Sequence, residues 1–252
     1  MLRTAFDLRS LCWLAFFAAI LMAWVMLFGM ARMSGLDWLG RPVAMNMMPM
    51  TSFGALAPMW AIMMAAMMLP TLVPALGTYE ALIRSADGSR AGWVGVVVGY
   101  FGVWIGMALI FAFMQAVLIS TGVVDDLGAA TSLWISAGLM IFVGLYQFSR
   151  LKEICHGVCH SPMSYYLGHW TPGFAGGARM GAGLGGYCAG CCWGIMALGF
   201  VGGTMSLLWM GLATAFMVLE KLPQVAHVVS RPAGVVLIAA GVTVIAYAAT
   251  GM

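Results

Sequence analysis

Seven stretches of this chain are apolar for long enough to cross a lipid bilayer, and that decides its architecture before any motif does. A helix rises about 1.5 Å per residue, so a hydrocarbon core about 30 Å thick takes about 20 mostly apolar residues. The stretches run over roughly 11–30, 52–76, 92–119, 132–149, 187–203, 204–220 and 232–249 of the 252 residues. Composition agrees: 63% of the chain is hydrophobic and 8% is charged, whereas a soluble domain carries about 25% charged residues. That excludes a disordered chain, a disulfide scaffold and a nucleic-acid binder. The expected fold is an all-α polytopic transmembrane helix bundle of about seven spans, a single membrane domain over 1–252. The first stretch is too long for a signal-peptide core and no A-x-A-like site follows it, so it reads as a retained anchor.

Basic residues in short loops set orientation. With seven spans, one side holds Arg3, Arg9, Arg84, Arg90, Arg150, Lys152, Arg179, Lys221 and Arg231, and the other only Arg32 and Arg41. This predicts the N-terminus in the cytoplasm and the C-terminus outside, with 150–186 a cytoplasmic loop. All six cysteines and all four histidines then lie at or near the reducing side, where disulfides do not persist. Cys12 reads as a small buried hydrophobe.

Two clusters read as metal ligands. In the fourth loop, Cys155 and Cys159 are four residues apart, and so are His156 and His160. On a helix continuing past Arg150, and ended by Pro162, the four cover one broad side within reach of one ion. Cys188, Cys191 and Cys192 are then expected to open span five from the same side. A C-x-x-C pair is both a soft-metal chelate and a thiol-redox motif, and three thiols on a narrow helix face suit a soft ion. Gly181, Gly183 and Gly186 spell a GxGxxG, but a membrane helix follows and no strand precedes, so no dinucleotide site is expected. They read as a flexible or close-packed entry into span five. The Cys155–His160 run has one residue too many for haem attachment.

Methionine makes up 24 residues. Met45, Met47, Met48 and Met50 precede span two outside. Within it, Met59, Met63, Met64, Met67 and Met68 fill one half of the helix with Trp60, opposite Ala61, Ala65, Ala66 and Leu69. Adaptable packing is one reading of such a stripe. The other is a thioether path for Cu(I) leading to thiols and imidazoles inside. Pro58, Pro70 and Pro74 are expected to interrupt this span, as freed backbone is tolerated against protein or a cavity. Gln115 is expected to make an interhelical hydrogen bond, and Glu220 to pair with Lys221 or a nearby arginine, or to bind a proton or metal.

With these motifs, the chain resembles the bacterial family described as predicted metal-binding integral membrane proteins, a domain of unknown function. The resemblance rests on Met59 to Pro70, Cys155 to His160, Gly186 to Gly194 and Glu220-Lys221, and covers roughly 52–232. It implies a multi-pass protein of the bacterial inner membrane with a metal site. The Met-x-x-x-Met pattern is also similar to that of Ctr-type copper transporters, as analogy only. The leading expectation is copper handling, by transport or by transfer to a metallochaperone or copper enzyme. No Walker A sequence is present, so ATP is not expected to drive it. Zinc is the alternative metal, in a scaffold with a structural site, and a thiol-redox protein using Cys188 and Cys191 is the other alternative. The expected partners are the lipid bilayer and the metal ion, with no nucleic acid.

Overall fold

A computed structural model describes residues 7–37, 51–83, 85–222 and 225–250, without the side chains of residues 226 and 227. The Met45–Met50 run, Arg3, Arg41, Arg84, Pro223 and the His227 side chain lie outside these described residues. The fold is all-helical. Its elements are α1 (Leu8–Met33), α2 (Phe53–Ile83), α3 (Arg90–Ser120), α4 (Leu133–Tyr146), α5 (Arg150–His160), α6 (Pro162–His169), α7 (Gly173–Ala197), α8 (Gly199–Gly202), α9 (Leu207–Glu220) and α10 (Ala226–Thr250).

Among the described residues, five helical segments are long and apolar enough to span a membrane: Leu8–Met33, Phe53–Ile83, Arg90–Ser120, Gly173–Gly202 and Val228–Thr250. The other two expected spans are the 14-residue helices α4 and α9. Each is about 21 Å long at about 1.5 Å per residue, short of the roughly 30 Å core. Their ends have local causes. Ser206 accepts from Trp209 N and starts α9 late. Gln147, Phe148 and Ser149 break the helix after Tyr146, and Ser149 accepts from Lys152 N to start α5 anew. A serine at the N-cap satisfies amides that have no partner within the helix.

Two further expectations are corrected. α2 runs unbroken through Pro58, Pro70 and Pro74. The fifth span begins at Gly173, well before residue 187, so the 150–186 segment is α5, α6 and the first half of α7 rather than a loop. The glycine-rich run is helical because it is the contact surface. A Cβ on Gly177 would overlap the Gly92 carbonyl, and one on Gly181 the Val96 carbonyl. Glycine at four-residue spacing lets two backbones touch, as small residues do between membrane helices. The contacts rise in register along both helices, so α3 and α7 run parallel.

The windows of α2 and α7 that match a span are 61% buried, whereas those of α1 and α10 are 22% and 11% buried. α2 and α7 are therefore the centre of the bundle, and α1 and α10 turn Leu14, Leu21, Val25, Val235, Val236 and Val242 outward. Glu80 near the end of α2 pairs with Arg9 of α1 and with Arg90 of α3 at 3.0 Å. The beginnings of α1, α3 and α7 and the end of α2 thus share one face of the bundle. The 121–132 connection and Thr204 meet at the opposite face, where Thr204 donates to the Leu127 carbonyl at 3.2 Å. Gln115 bridges helices as expected: it accepts from Trp60 Nε1 at 2.7 Å and donates to Thr204 Oγ1 at 3.4 Å.

Candidate metal centre

Cys188, Cys191 and Cys192 stand at i, i+3 and i+4 on α7, which places them on one face. Their sulfurs all lie within 4.8 Å of one another. Cys191 and Cys192 sulfurs are 3.3 Å apart, and Cys188 and Cys192 sulfurs 3.9 Å apart. A metal–sulfur bond of about 2.3 Å puts ligand sulfurs roughly 3.8–4.0 Å apart in tetrahedral or trigonal geometry, so the spacing fits one soft ion. All three thiols are free and buried.

The cluster is deeper than expected. Cys188 follows Gly173 by fifteen residues, about 22 Å of helix. It does not open the span but sits in its middle, opposite Tyr100 of α3 and Thr71 of α2. Tyr100 donates its hydroxyl to the Cys188 sulfur at 3.0 Å, and the Tyr100 and Thr71 oxygens are 2.8 Å apart.

Lys221 completes the site from the end of α9. Its ammonium donates to the Cys188 sulfur at 2.9 Å, to Thr71 Oγ1 at 3.1 Å and to Tyr100 OH at 3.4 Å. A buried charge is costly unless paired, and here the ammonium rests against the Cys188 sulfur and the Thr71 and Tyr100 hydroxyls. Glu220 does not pair with Lys221. It receives Lys152 of α5, whose Nζ lies 2.8 and 3.1 Å from the two carboxylate oxygens, and Lys152 also donates to Gln147. Lys152 and Lys221 are only 2% and 6% exposed, so neither is a loop charge that reports orientation. Without them the basic asymmetry is still seven against two.

The structure divides the four residues expected to share one ion on α5. Cys155 and Cys159 face α7. Cys159 is turned toward Cys188 and Cys191 but stands outside the group of three sulfurs within 4.8 Å of one another. Cys155 packs against Gly190, where an added Cβ would stand 2.7 Å from its sulfur. The histidines line a cavity of about 460 Å³ with Gln147, Lys152, Glu153, Ser230 and Arg231. Their ring centroids are 4.0 Å apart. His156 is pushed down to about 4 by burial and by the charges of His160 and Lys152, so its imidazole is neutral, the metal-binding form.

The methionine stripe is interior. Met59, Met63, Met64, Met67 and Met68 are each at most 2% exposed. The stripe ends beside the thiols: the Met68 carbonyl accepts from Thr71 Oγ1 at 2.7 Å, and that hydroxyl touches Tyr100 and Lys221. Lys221, Tyr100 and Thr71 escaped the sequence reading. One signal pointed to the first, a lysine closing an apolar run beside a glutamate. A threonine and a tyrosine inside membrane spans carry no such mark.

A family model described as PpoB2, copper chaperone, matches residues 57–244. That range contains the methionine stripe, α5, the α7 cysteines and Lys221. No curated protein and no solved structure matches the chain.

Proposed function

This chain belongs to the PpoB2 copper chaperone family, and on that premise we propose that it carries Cu(I) along α2 to the buried thiol cluster and hands it on. The cluster itself supports this reading most: three thiols on α7 within 4.8 Å of one another, with Cys159 turned toward them and the Lys221 ammonium against Cys188. Thiolate is the soft ligand that Cu(I) favours, and thioether serves where a thiol would oxidise. Cys159, Cys188, Cys191 and Cys192 are the proposed holding site, with Cys155 behind them. Met59, Met63, Met64, Met67 and Met68 are the proposed approach, spanning ten residues or about 14 Å of helix.

The proposed setting is the inner membrane of a bacterium, with seven crossings and the N-terminus in the cytoplasm. Copper arrives from outside, and the recipient is a soluble metallochaperone or a copper enzyme on the inner side. A reporter fused at the C-terminus is expected to be active outside, and one inserted at exposed Gly168 inside, as the surviving basic asymmetry directs. A reporter at the C-terminus that is active only in the cytoplasm would refute the arrangement.

The path is tested with leucine. Leucine has nearly the volume of methionine, and the exchange usually costs less than about 1.5 kcal/mol in a packed site, yet it cannot ligate copper. Changing Met63, Met64, Met67 and Met68 to Leu is expected to preserve expression and insertion. Copper accumulation or tolerance in cells is expected to be lost, while the purified protein still binds copper at its untouched thiols. A variant with unchanged copper phenotype would reduce the stripe to packing.

A further inference from the structure

We propose that His156 and His160 form a second copper site, separate from the thiol cluster, through which Cu(I) exchanges with a small thiol or amine ligand in the cavity beside α5. This rests on the copper reading above and gives the protein a point of exchange that the buried thiols do not offer.

The observations are geometric. α5 is a wall one helix thick. Its cysteines face the thiol cluster, and its histidines face the cavity of about 460 Å³. Two histidines at i, i+4 share a helix face, the spacing that chelates a metal in helical motifs. Each ring has a nitrogen available. His156 Nε2 is buried with no hydrogen-bond partner among the described residues, an unusual state for a buried polar atom that calls for an explanation. His160 Nε2 meets the Glu220 carbonyl at 2.6 Å. A carbonyl only accepts, so this nitrogen carries a proton, and Nδ1 is the ring atom left to offer a lone pair. Metal-binding histidines are commonly held this way, by a carbonyl on the nitrogen turned away from the ion.

The carbonyl belongs to the residue preceding Lys221, and the Glu220 side chain holds Lys152 on the same helix as the histidines. The end of α9 therefore touches both sites. An ion leaving Cys188 has Cys159 beside it, and His160 is the next residue of the chain. Glu153 and Arg231 line the cavity and give it charges of both signs.

Full-length protein in detergent, titrated with Cu(I) as its acetonitrile complex, is expected to take two equivalents. The H156L/H160L variant is expected to take one, with the tight affinity unchanged. H156Q/H160Q keeps a side-chain amide that can donate to the Glu220 carbonyl, and it should behave the same if the leucine variant misfolds. In both, removal of bound copper by bathocuproine disulfonate is expected to slow roughly tenfold, comparable to losing one partner of a metal site. X-ray absorption at the copper edge should lose its nitrogen contribution and keep sulfur. Unchanged stoichiometry and unchanged extraction rate in the histidine variants would overturn the proposal. In the C188S/C191S/C192S variant the nitrogen-bound equivalent should remain. Two equivalents retained there would refute the thiol holding site instead, and the histidine result would stand independently of it.

Discussion

Replacing Cys188, Cys191 and Cys192 together with serine is expected to strip tightly bound copper from the protein while leaving it folded. Serine is nearly the shape of cysteine, so packing beside Tyr100 survives, but a hydroxyl is a poor ligand for a soft ion. Removing a mere outer partner of a metal site costs about 10–100-fold in affinity, and losing three ligands is expected to exceed that. The measurement is metal analysis of both proteins, expressed with copper in the medium and purified with none added. Copper in the unmodified protein and little in the variant supports the site. Copper retained at full level in the variant would place the tight site elsewhere. Zinc in place of copper would point to a structural zinc centre, and neither metal to thiol chemistry at Cys188 and Cys191.

A second large effect concerns two methyl groups. Gly177→Ala with Gly181→Ala is expected to force α7 away from α3, because each new Cβ meets a backbone carbonyl of α3 that cannot rotate aside. Overpacking costs about 1–3 kcal/mol per site, against a helix-propensity gain of about 1 kcal/mol from replacing glycine. Thermal stability should fall, and copper affinity with it, since the same helix pair aligns Cys188 with Tyr100. Gly186→Ala is the control. Nothing lies within 4 Å of its added Cβ, so only the propensity gain operates and stability should hold or rise. Equal behaviour of the two variants would mean that the α3–α7 contact is not as close as described.

How far the sequence could be read follows from the kind of signal each feature carries. Apolar length is additive along the chain, so five long apolar helices were legible, and so was the Cys188–Cys192 group, whose spacing is local. The boundaries of the fifth span were not. Glycine has low helix propensity and reads as a break, whereas here its lack of a side chain is what allows α7 to begin at Gly173. Cys155 to His160 was found as a cluster, but its division into a thiol face and an imidazole face depends on what packs on each side of α5. The pairing of Glu220 with Lys152 spans 68 positions, and that of Lys221 with Cys188 spans 33. Nothing in the local pattern distinguishes these partners from the nearer alternative of Glu220 with its own neighbour.

Those long pairings set an order of events during biosynthesis. The chain emerges N-terminus first, and domains assemble as synthesis proceeds. When α5 and α7 are already made, Lys152 still lacks its carboxylate and the thiols still lack their ammonium, because Glu220 and Lys221 come at the end of α9. A buried lysine without a counterion does not rest stably in hydrocarbon. Until α9 is made, Lys152 on α5 has no carboxylate and Cys188 on α7 has no ammonium beside it. Glu220, the last residue of α9, and Lys221 after it then supply the partners of Lys152 and Cys188 together. A chain ended before residue 207 would keep all six cysteines but lack the carboxylate that holds Lys152 and the ammonium that meets Cys188.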